Sequence, residues 1–330
     1  FFMPGTVPLQ TLEIGDLLVT FIPGEPCVEV GAELRKTALA RGYQNQFTVG
    51  LGNSYVGYFA PVEYYSNTFY ESCMNFFGPR MVDWYRRQFS RLMTRGEPEP
   101  DPGPGVTPET ETVEGAVKAT FSGTPYEIGR QRAALFAEPL RQHYQTHIID
   151  AIGPASFLPK NSLLGAVEPY LNLAPLNLFV LGVGVRPLLQ GASVNIIDEV
   201  LGIADGLEAP FDVAWLTQCS PTLSAHPGAT AFYNQTSFCT MIASVGDKAG
   251  VDGLLVGRNL DWSEPESPVI SDVRPATGLR FVQVGFPWNI GVFSGMNSAG
   301  VVLCAERMLA EGDPAPAGAP VEIVLRDILQ

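Results

Sequence analysis

The chain has 330 residues, of which 46% are hydrophobic and only 16% are charged. This length favours two domains that each bury a core. The charged residues are 34 acidic and 20 basic side chains, which give a formal net charge of −14. So acidic a chain lacks the basic surface that binds a phosphate backbone, which argues against a nucleic-acid partner. It would also be repelled by anionic membrane surfaces.

The two ends of the chain carry no start or stop signal. The chain begins Phe1-Phe2-Met3 and ends in an amphipathic run at 321–330, so we expect a piece of a longer polypeptide. No signal peptide is visible, and a missing N-terminus would make that silence uninformative about localisation. The most helix-like uncharged stretch, 169–185, is interrupted by Pro175 and is shorter than the roughly 20 apolar residues that a membrane span needs. No transmembrane segment is predicted.

A stretch rich in proline and acidic residues, 96–113, divides the chain. Val106 is its only sizeable apolar side chain before Val113, and its prolines hold the backbone extended while its acids keep it solvated. We therefore predict a linker between a first domain at 1–95 and a second domain at 114–330.

In the first domain the apolar pattern predicts strands within 11–22 and at 46–51. An amphipathic helix is predicted between them at 28–41, and a second helix after them at 78–93. Strand, helix and strand in this order indicate an α/β fragment. Its functional loops should lie at the carboxyl ends of the strands.

The second domain should begin with a strand at 115–122, followed by a helix at 125–147 that Pro139 kinks. Further helices are predicted at 194–207 and 210–218. Strands then follow to near the end of the chain, at 239–244, 253–257, 279–285, 289–294 and 300–305. Helices first and an antiparallel run afterwards indicate an α+β domain.

Cys239 begins one of these strands, and its neighbours suggest a nucleophilic site. In a hairpin, Arg258 and Asp261 come back beside the start of the Cys239 strand. A guanidinium next to a thiol favours the thiolate, and a carboxylate can accept a hydrogen bond from an amine or thiol. Asn297, on a predicted turn, could donate an N–H to a developing oxyanion. The alternatives are a core cysteine, a surface ion pair and an ordinary turn asparagine.

Three ordered motifs carry a family resemblance: Cys239-Thr240, Gly-Arg-Asn-Leu-Asp-Trp at 257–262 and Gly-Met-Asn-x-x-Gly at 295–300. Together they resemble the N-terminal-nucleophile hydrolases of the choloylglycine hydrolase and acid ceramidase type. Two further motifs, at 123–130 and 199–207, are similar to autoproteolytic acyltransferases related to the penicillin acyltransferase. The resemblance covers 115–330 and implies an αββα domain of the N-terminal-nucleophile type, truncated here.

This resemblance implies cleavage between Phe238 and Cys239, so that the freed α-amine acts as base for the Cys239 thiol. The thiolate would attack an amide and form a thioester, which water or another acceptor resolves. Asp261 would orient the amine, Arg258 would hold thiolate and substrate, and Asn297 would stabilise the oxyanion. No cofactor is implied for this domain. The family's later Asn and Arg are absent from this chain, so its catalytic set is incomplete here.

A second candidate site lies in the first domain. Glu25 follows a buried strand and Tyr58 follows the next one, where an α/β protein keeps its active groups. A carboxylate and a phenol that meet across neighbouring strand ends could share a metal that accepts oxygen ligands, such as zinc. The alternatives are a solvated turn acid for Glu25 and a packed aromatic ring for Tyr58.

Ordered motifs within roughly residues 9–92 carry a second resemblance, among them Pro23-Gly24-Glu25, Gly52-Asn53-Ser54-Tyr55 and Phe77-Gly78-Pro79. They resemble the end of a neutral (alkaline, non-lysosomal) ceramidase catalytic domain. The resemblance implies that Glu25 and Tyr58 are zinc ligands, and that two His ligands precede this region and are missing from the chain. Such proteins are commonly exported, although the sequence itself leaves localisation unknown.

Both domains therefore point to the amide bond of an N-acylated, lipid-like small molecule. The leading hypothesis is an autoproteolytic cysteine amidohydrolase or acyltransferase fused behind a ceramidase-like domain. In the first alternative, the zinc domain is the working enzyme and the second domain is accessory. In the second alternative, the chain is a non-catalytic acyl-lipid-binding module. Cleavage before Cys239 separates the leading hypothesis from the other two.

Overall fold

The computed structural model describes residues 6–67, 69–98, 107–150, 182–225, 239–250, 252–260, 267–305 and 318–330. The chain divides into two units, Phe1–Pro104 and Gly105–Gln330, and the division falls within the segment predicted as a linker. Among the residues described, no helix combines the length and the apolar character that crossing a bilayer requires.

The first unit combines short strands with helices. Its strands are β1 (Gln10–Ile14), β2 (Leu17–Phe21), β3 (Glu25–Pro26), β4 (Asn45–Val49) and β5 (Tyr58–Phe59). Its helices are α1 (Val28–Ala40), α2 (Val62–Tyr65), α3 (Tyr70–Cys73) and α4 (Met81–Leu92). β2 pairs antiparallel with β1 and parallel with β4, and the short strands β3 and β5 pair parallel with each other. The predicted order of strand, helix and strand is present.

The core of the first unit lies beneath α1 and α4. Leu34 on α1 and Phe89 on α4 are almost fully buried, together with Leu18 of β2. Arg41, just after α1, donates hydrogen bonds to the backbone carbonyls of Ser90 and Met93. These carbonyls lie at the carboxyl end of α4, where carbonyl groups have no hydrogen-bond partner within the helix. By donating to them, Arg41 fixes α4 against α1.

The second unit is larger and has more strands. Its strands are β6 (Glu109–Val113), β7 (Ala116–Gly123), β8 (Thr240–Val245), β9 (Leu254–Asn259), β10 (Val269–Pro275), β11 (Phe281–Gly285), β12 (Ser294–Asn297) and β13 (Val302–Cys304). Its helices include α5 (Pro125–Tyr144), α6 (Val194–Leu207), α7 (Phe211–Ala225) and α8 (Val321–Leu329). A π-helical turn, Gln145–Ile149, continues α5.

Within the described residues, six of these strands form one sheet in the order β13-β12-β11-β10-β7-β6. Neighbours are antiparallel except for the parallel pair of β7 and β10. One sheet face is covered by helices, because Arg132 of α5 stacks on Phe121 and Arg326 of α8 stacks on Phe281. β8 and β9 form a separate hairpin, and its apolar side chains, such as Ile242 at 68%, are exposed.

Three departures from the predicted elements of the second unit concern its strands. Residues 109–113, assigned to the linker, form β6, which pairs with β7 along the edge of the sheet. Strand β10 was not predicted, and the strand predicted at 289–294 begins only at Ser294. Residues 289–293 form a buried irregular segment after the turn that follows Phe286, which explains their apolar pattern without a strand.

The kink predicted at Pro139 appears one turn earlier. Phe136 has non-helical backbone angles, φ −118° and ψ 27°, inside α5. A proline ring clashes with the preceding turn of its helix and removes one of that helix's hydrogen bonds, so the distortion falls before the proline. The prediction of a kinked helix is confirmed, and its position shifts by three residues.

Helices α5 and α6 contact each other through glycines of the two motifs at 123–130 and 199–207. A Cβ at Gly129 would lie 1.9 Å from the carbonyl oxygen of Glu199, and a Cβ at Gly202 would lie 2.0 Å from that of Tyr126. The Tyr126 phenol also donates to Asp205 at 2.7 Å. The close packing of two helices therefore accounts for the residue types at these motif positions.

We predict that Gly129→Ala destabilises the second unit by about 3 kcal/mol, because the new methyl group meets backbone that cannot move aside. Urea unfolding followed by circular dichroism measures this. Gly184→Ala is the matched control, since a Cβ there meets nothing within 4 Å, and it should change stability by no more than about 0.5 kcal/mol. Equal effects of both substitutions would contradict the packing argument.

Candidate functional site

Glu25 and Tyr58 meet in the structure as the sequence predicts. They are direct partners in the parallel pairing of β3 and β5. The Tyr58 phenol donates a hydrogen bond to Oε2 of Glu25 at 2.7 Å. Both side chains are half-buried. A carboxylate and a phenol oxygen therefore lie side by side at the ends of two neighbouring strands.

Two glycines bring these strand ends together. A Cβ at Gly24 would lie 2.3 Å from the carbonyl oxygen of Gly57, so this close approach requires glycine. The Glu25 amide donates to the same carbonyl at 3.0 Å. Gly57 itself has φ +89°, a conformation that other residues rarely adopt. The Pro-Gly-Glu motif thus positions the Glu25 carboxylate through its backbone.

The structure adds Tyr55, which was not among the predicted site residues. Its phenol donates to Oε1 of Glu25 at 3.1 Å, so each carboxylate oxygen accepts from a different tyrosine. The ring of Tyr70 packs edge-on against Tyr58, with ring centroids 5.3 Å apart. Two sequence signals pointed to Tyr55: it ends the motif Gly52-Asn53-Ser54-Tyr55, and it lies three residues before Tyr58 in the same loop.

Glu25 contributes to a raised pKa in both phenols. Its hydrogen bond to Tyr58, followed by burial, raises the pKa of Tyr58 well above the ordinary value. Burial, followed by the hydrogen bond to Glu25, raises the pKa of Tyr55. Both phenols are therefore protonated at neutral pH and act as donors to the carboxylate.

The oxygen donors of Glu25 and Tyr58 fit part of a zinc site, since zinc accepts carboxylate and other oxygen ligands beside histidine. Among the described residues, no three His, Cys, Asp or Glu side chains are arranged so that they could hold a metal ion. His143 is stacked on Trp288 and hydrogen-bonded to Ser220, which is a packing role in the second unit. The fit in this chain is therefore that of a partial site.

Cys239 and Arg258 also come together as predicted. Arg258 pairs across the β8–β9 hairpin with Met241, which places it on the same strand face as Cys239 two residues earlier. Its Nη2 atom lies 3.3 Å from the Cys239 Sγ atom and also donates to the carbonyl of Ala305. Its Nη1 atom donates to the Ser294 hydroxyl at 3.4 Å. Arg258 thus links the thiol to the ends of β12 and β13.

The other two predicted residues of this site behave differently. Asp261 and the Phe238 side of the expected cleavage point lie outside the described residues. Asn297 is 5% exposed and donates from Nδ2 to the Leu329 carbonyl at 3.2 Å. Its Oδ1 atom accepts from the amides of Ala299 and Val301.

Asn297 is therefore engaged in its own turn. It ends β12, whereas Ser294, which contacts Arg258, begins that strand. At the rise of an extended strand, the two Cα atoms are separated by about 10 Å. The Asn297 hydrogen bonds described here, to Leu329, Ala299 and Val301, are those of the turn-asparagine alternative.

Comparison with known proteins supports the ceramidase resemblance. The chain is 36% identical over 96 residues to Neutral ceramidase 3 of Arabidopsis thaliana, which covers 27% of this chain and 13% of that protein. It is 30% identical to two proteins of Dictyostelium discoideum, over 96 residues to Neutral ceramidase A and over 116 residues to Neutral ceramidase B. These stretches cover 28% and 34% of this chain, and 13% and 16% of those proteins.

The chain thus spans well under a fifth of the length of these curated relatives. No family model matches it. The matched length, about 100 residues, is that of the first unit, for which the resemblance to neutral ceramidases was predicted. None of these comparisons supports the resemblance of the second domain to N-terminal-nucleophile hydrolases.

We predict that Glu25→Gln lowers the pKa of Tyr58 toward the ordinary phenol value of about 10. If folding raises the pKa of a phenol, that phenol adds stability at all pH values below its unfolded pKa of about 10. This stability is lost as the pH rises through the pKa of the folded state. Ultraviolet difference absorbance of tyrosinate should therefore show more phenol ionisation near pH 10 in the variant, from Tyr58 and from Tyr55, whose pKa Glu25 also raises. Glu33→Gln, which changes an exposed carboxylate paired with Lys36, should leave the curve unchanged.

Proposed function

We propose that the first unit supplies Glu25 and Tyr58 to the zinc site of a ceramidase-type amidase that acts on a sphingolipid-like N-acyl amide. The observation that carries this proposal is the 2.7 Å contact between the Tyr58 phenol and the Glu25 carboxylate. The matches to neutral ceramidases support the same assignment. Among the described residues, the Glu25 side chain accepts hydrogen bonds only from tyrosines, and none of its contacts there is an ion pair.

Each residue has a definable part in such a site. Glu25 offers a carboxylate oxygen as ligand. Tyr58 offers a phenol oxygen, which keeps its proton at neutral pH while it donates to the carboxylate. The edge-on ring of Tyr70 restricts the Tyr58 ring to this orientation. A bound zinc ion would supply Lewis acidity toward the amide carbonyl.

The zinc content of the longest natural polypeptide that contains this chain tests the proposal. Glu25→Gln and Tyr58→Phe should each lower zinc affinity, and ceramide hydrolysis, by about 100-fold or more, because each removes a ligand oxygen. Glu29→Gln is the matched control. Its carboxylate also accepts from a phenol, that of Tyr64, but at a separate position on α1. Wild-type zinc content in both site variants would overturn the proposal.

The second candidate function is an autoproteolytic cysteine amidohydrolase or acyltransferase centred on Cys239. The observation that favours it is the guanidinium of Arg258, 3.3 Å from the thiol. An arginine at that distance can hold a thiolate or a developing negative charge on a bound substrate. In this function water would hydrolyse the peptide bond before Cys239, which leaves a carboxylate on Phe238 and a free α-amine on Cys239. The thiol would then take the acyl group of an amide as a thioester, and the amine of the substrate would leave with the thiol proton.

Intact mass of the same natural polypeptide tests this second function. Wild type should be cut between Phe238 and Cys239, whereas Cys239→Ala should stay whole, because the alanine offers no nucleophile. Cys304→Ala is the control, since it removes another half-buried free thiol. A folded wild-type chain that remains uncut would contradict the autoproteolytic function. If that chain also held no zinc, a non-catalytic acyl-lipid-binding role would be favoured.

A further inference from the structure

The Glu25 carboxylate is held on both sides. Tyr58 donates to Oε2 at 2.7 Å and Tyr55 donates to Oε1 at 3.1 Å. A carboxylate held by one oxygen alone can still rotate about its terminal side-chain bond. Two donors on different oxygens fix the carboxylate plane, so that Oε2 stays on the side of Tyr58.

The loop that carries the two tyrosines is itself tied to the Glu25 loop. The Val56 amide donates to the Pro23 carbonyl at 2.8 Å, and the Leu51 amide donates to the Gly24 carbonyl at 2.7 Å. Val56, between the tyrosines, is 2% exposed. Tyr55 therefore reaches Glu25 from a backbone whose place is already set, and its side chain is still 39% exposed.

We propose that Tyr55 is a positioning residue, which orients the Glu25 carboxylate through Oε1 so that Oε2 is presented together with the Tyr58 oxygen. This inference rests on the proposed zinc function of Glu25 and Tyr58, and it assigns Tyr55 no contact with the metal. Partners that orient a metal-ligating carboxylate by hydrogen bonding commonly change metal affinity by about 10- to 100-fold when removed.

The experiment measures how fast zinc leaves the longest natural polypeptide that contains this chain, with a coloured chelator in excess. Tyr55→Phe keeps the ring and removes only the hydroxyl, so zinc should still bind and should be released about 10- to 100-fold faster. Tyr64→Phe is the matched control, because it removes a phenol that donates to another carboxylate, that of Glu29, at 2.8 Å. The control should release zinc at the wild-type rate.

A second variant separates positioning from loss of fold. In a Glu25→Gln background, adding Tyr55→Phe should change zinc release by less than about 2-fold, because the carboxylate that Tyr55 orients is gone. The thermal unfolding of the metal-free protein should be alike in Tyr55→Phe and Tyr64→Phe. Faster release in both single variants would indicate a general structural effect and overturn the inference.

The failure of the inference and the failure of the proposed function are distinguishable. If Glu25→Gln and Tyr58→Phe weaken zinc binding while Tyr55→Phe does not, the inference fails and the zinc function stands. If Glu25→Gln and Tyr58→Phe leave zinc release at the wild-type rate, the zinc function fails, and the role of Tyr55 fails with it.

Discussion

The close approach of Gly24 to Gly57 is the contact on which the first candidate site depends. Because Gly24 has no Cβ, the Glu25 amide can reach the Gly57 carbonyl and start the parallel pairing of β3 with β5. Gly57 has no Cβ that would meet the Met74 carbonyl, and its φ of +89° suits glycine. That pairing puts Glu25 directly opposite Tyr58, so the carboxylate and the phenol lose little further conformational freedom when they come together. The glycine of the Pro-Gly-Glu motif therefore acts through backbone geometry, and the adjacent glutamate supplies the chemistry.

In the second unit glycines also allow a close approach of two backbones, but there the approach joins two helices and not two strands. Gly129 and Gly202 let α5 and α6 touch backbone to backbone, and both belong to motifs that suggested an acyltransferase resemblance. Helix packing alone is a sufficient reason for these residue types at these positions. What still favours chemistry in this unit is therefore the contact of Arg258 with Cys239, which helix packing does not require.

The limits of sequence reasoning follow from particular residues. The meeting of Glu25 and Tyr58 was predictable, because Glu25 follows β2 and Tyr58 follows β4, and the carboxyl ends of two parallel strands meet at one edge of a sheet. Strand β6 was not, since all of its side chains are exposed and its acids suggest a solvated linker. Strand β10 contains Asp272, which is buried and forms an ion pair with Arg280, the residue before β11. The periodicity of apolar residues does not reveal such a pair. The contact of Asn297 with Leu329 is likewise set by tertiary structure.

The buried ion pairs of the second unit contrast with the two candidate sites. Glu199 is paired with Arg326 at 2.7 Å and lies 3.9 Å from Arg132, and all three are buried, so this carboxylate meets guanidinium groups directly. Among the described residues, Glu25 has only neutral phenols as partners, and Arg258 has only a thiol, a hydroxyl and a carbonyl. Within the described residues, each of these half-buried charges is therefore hydrogen-bonded to uncharged groups. A carboxylate held in this way suits the cation of the first proposal, and a guanidinium suits the negative charge of the second.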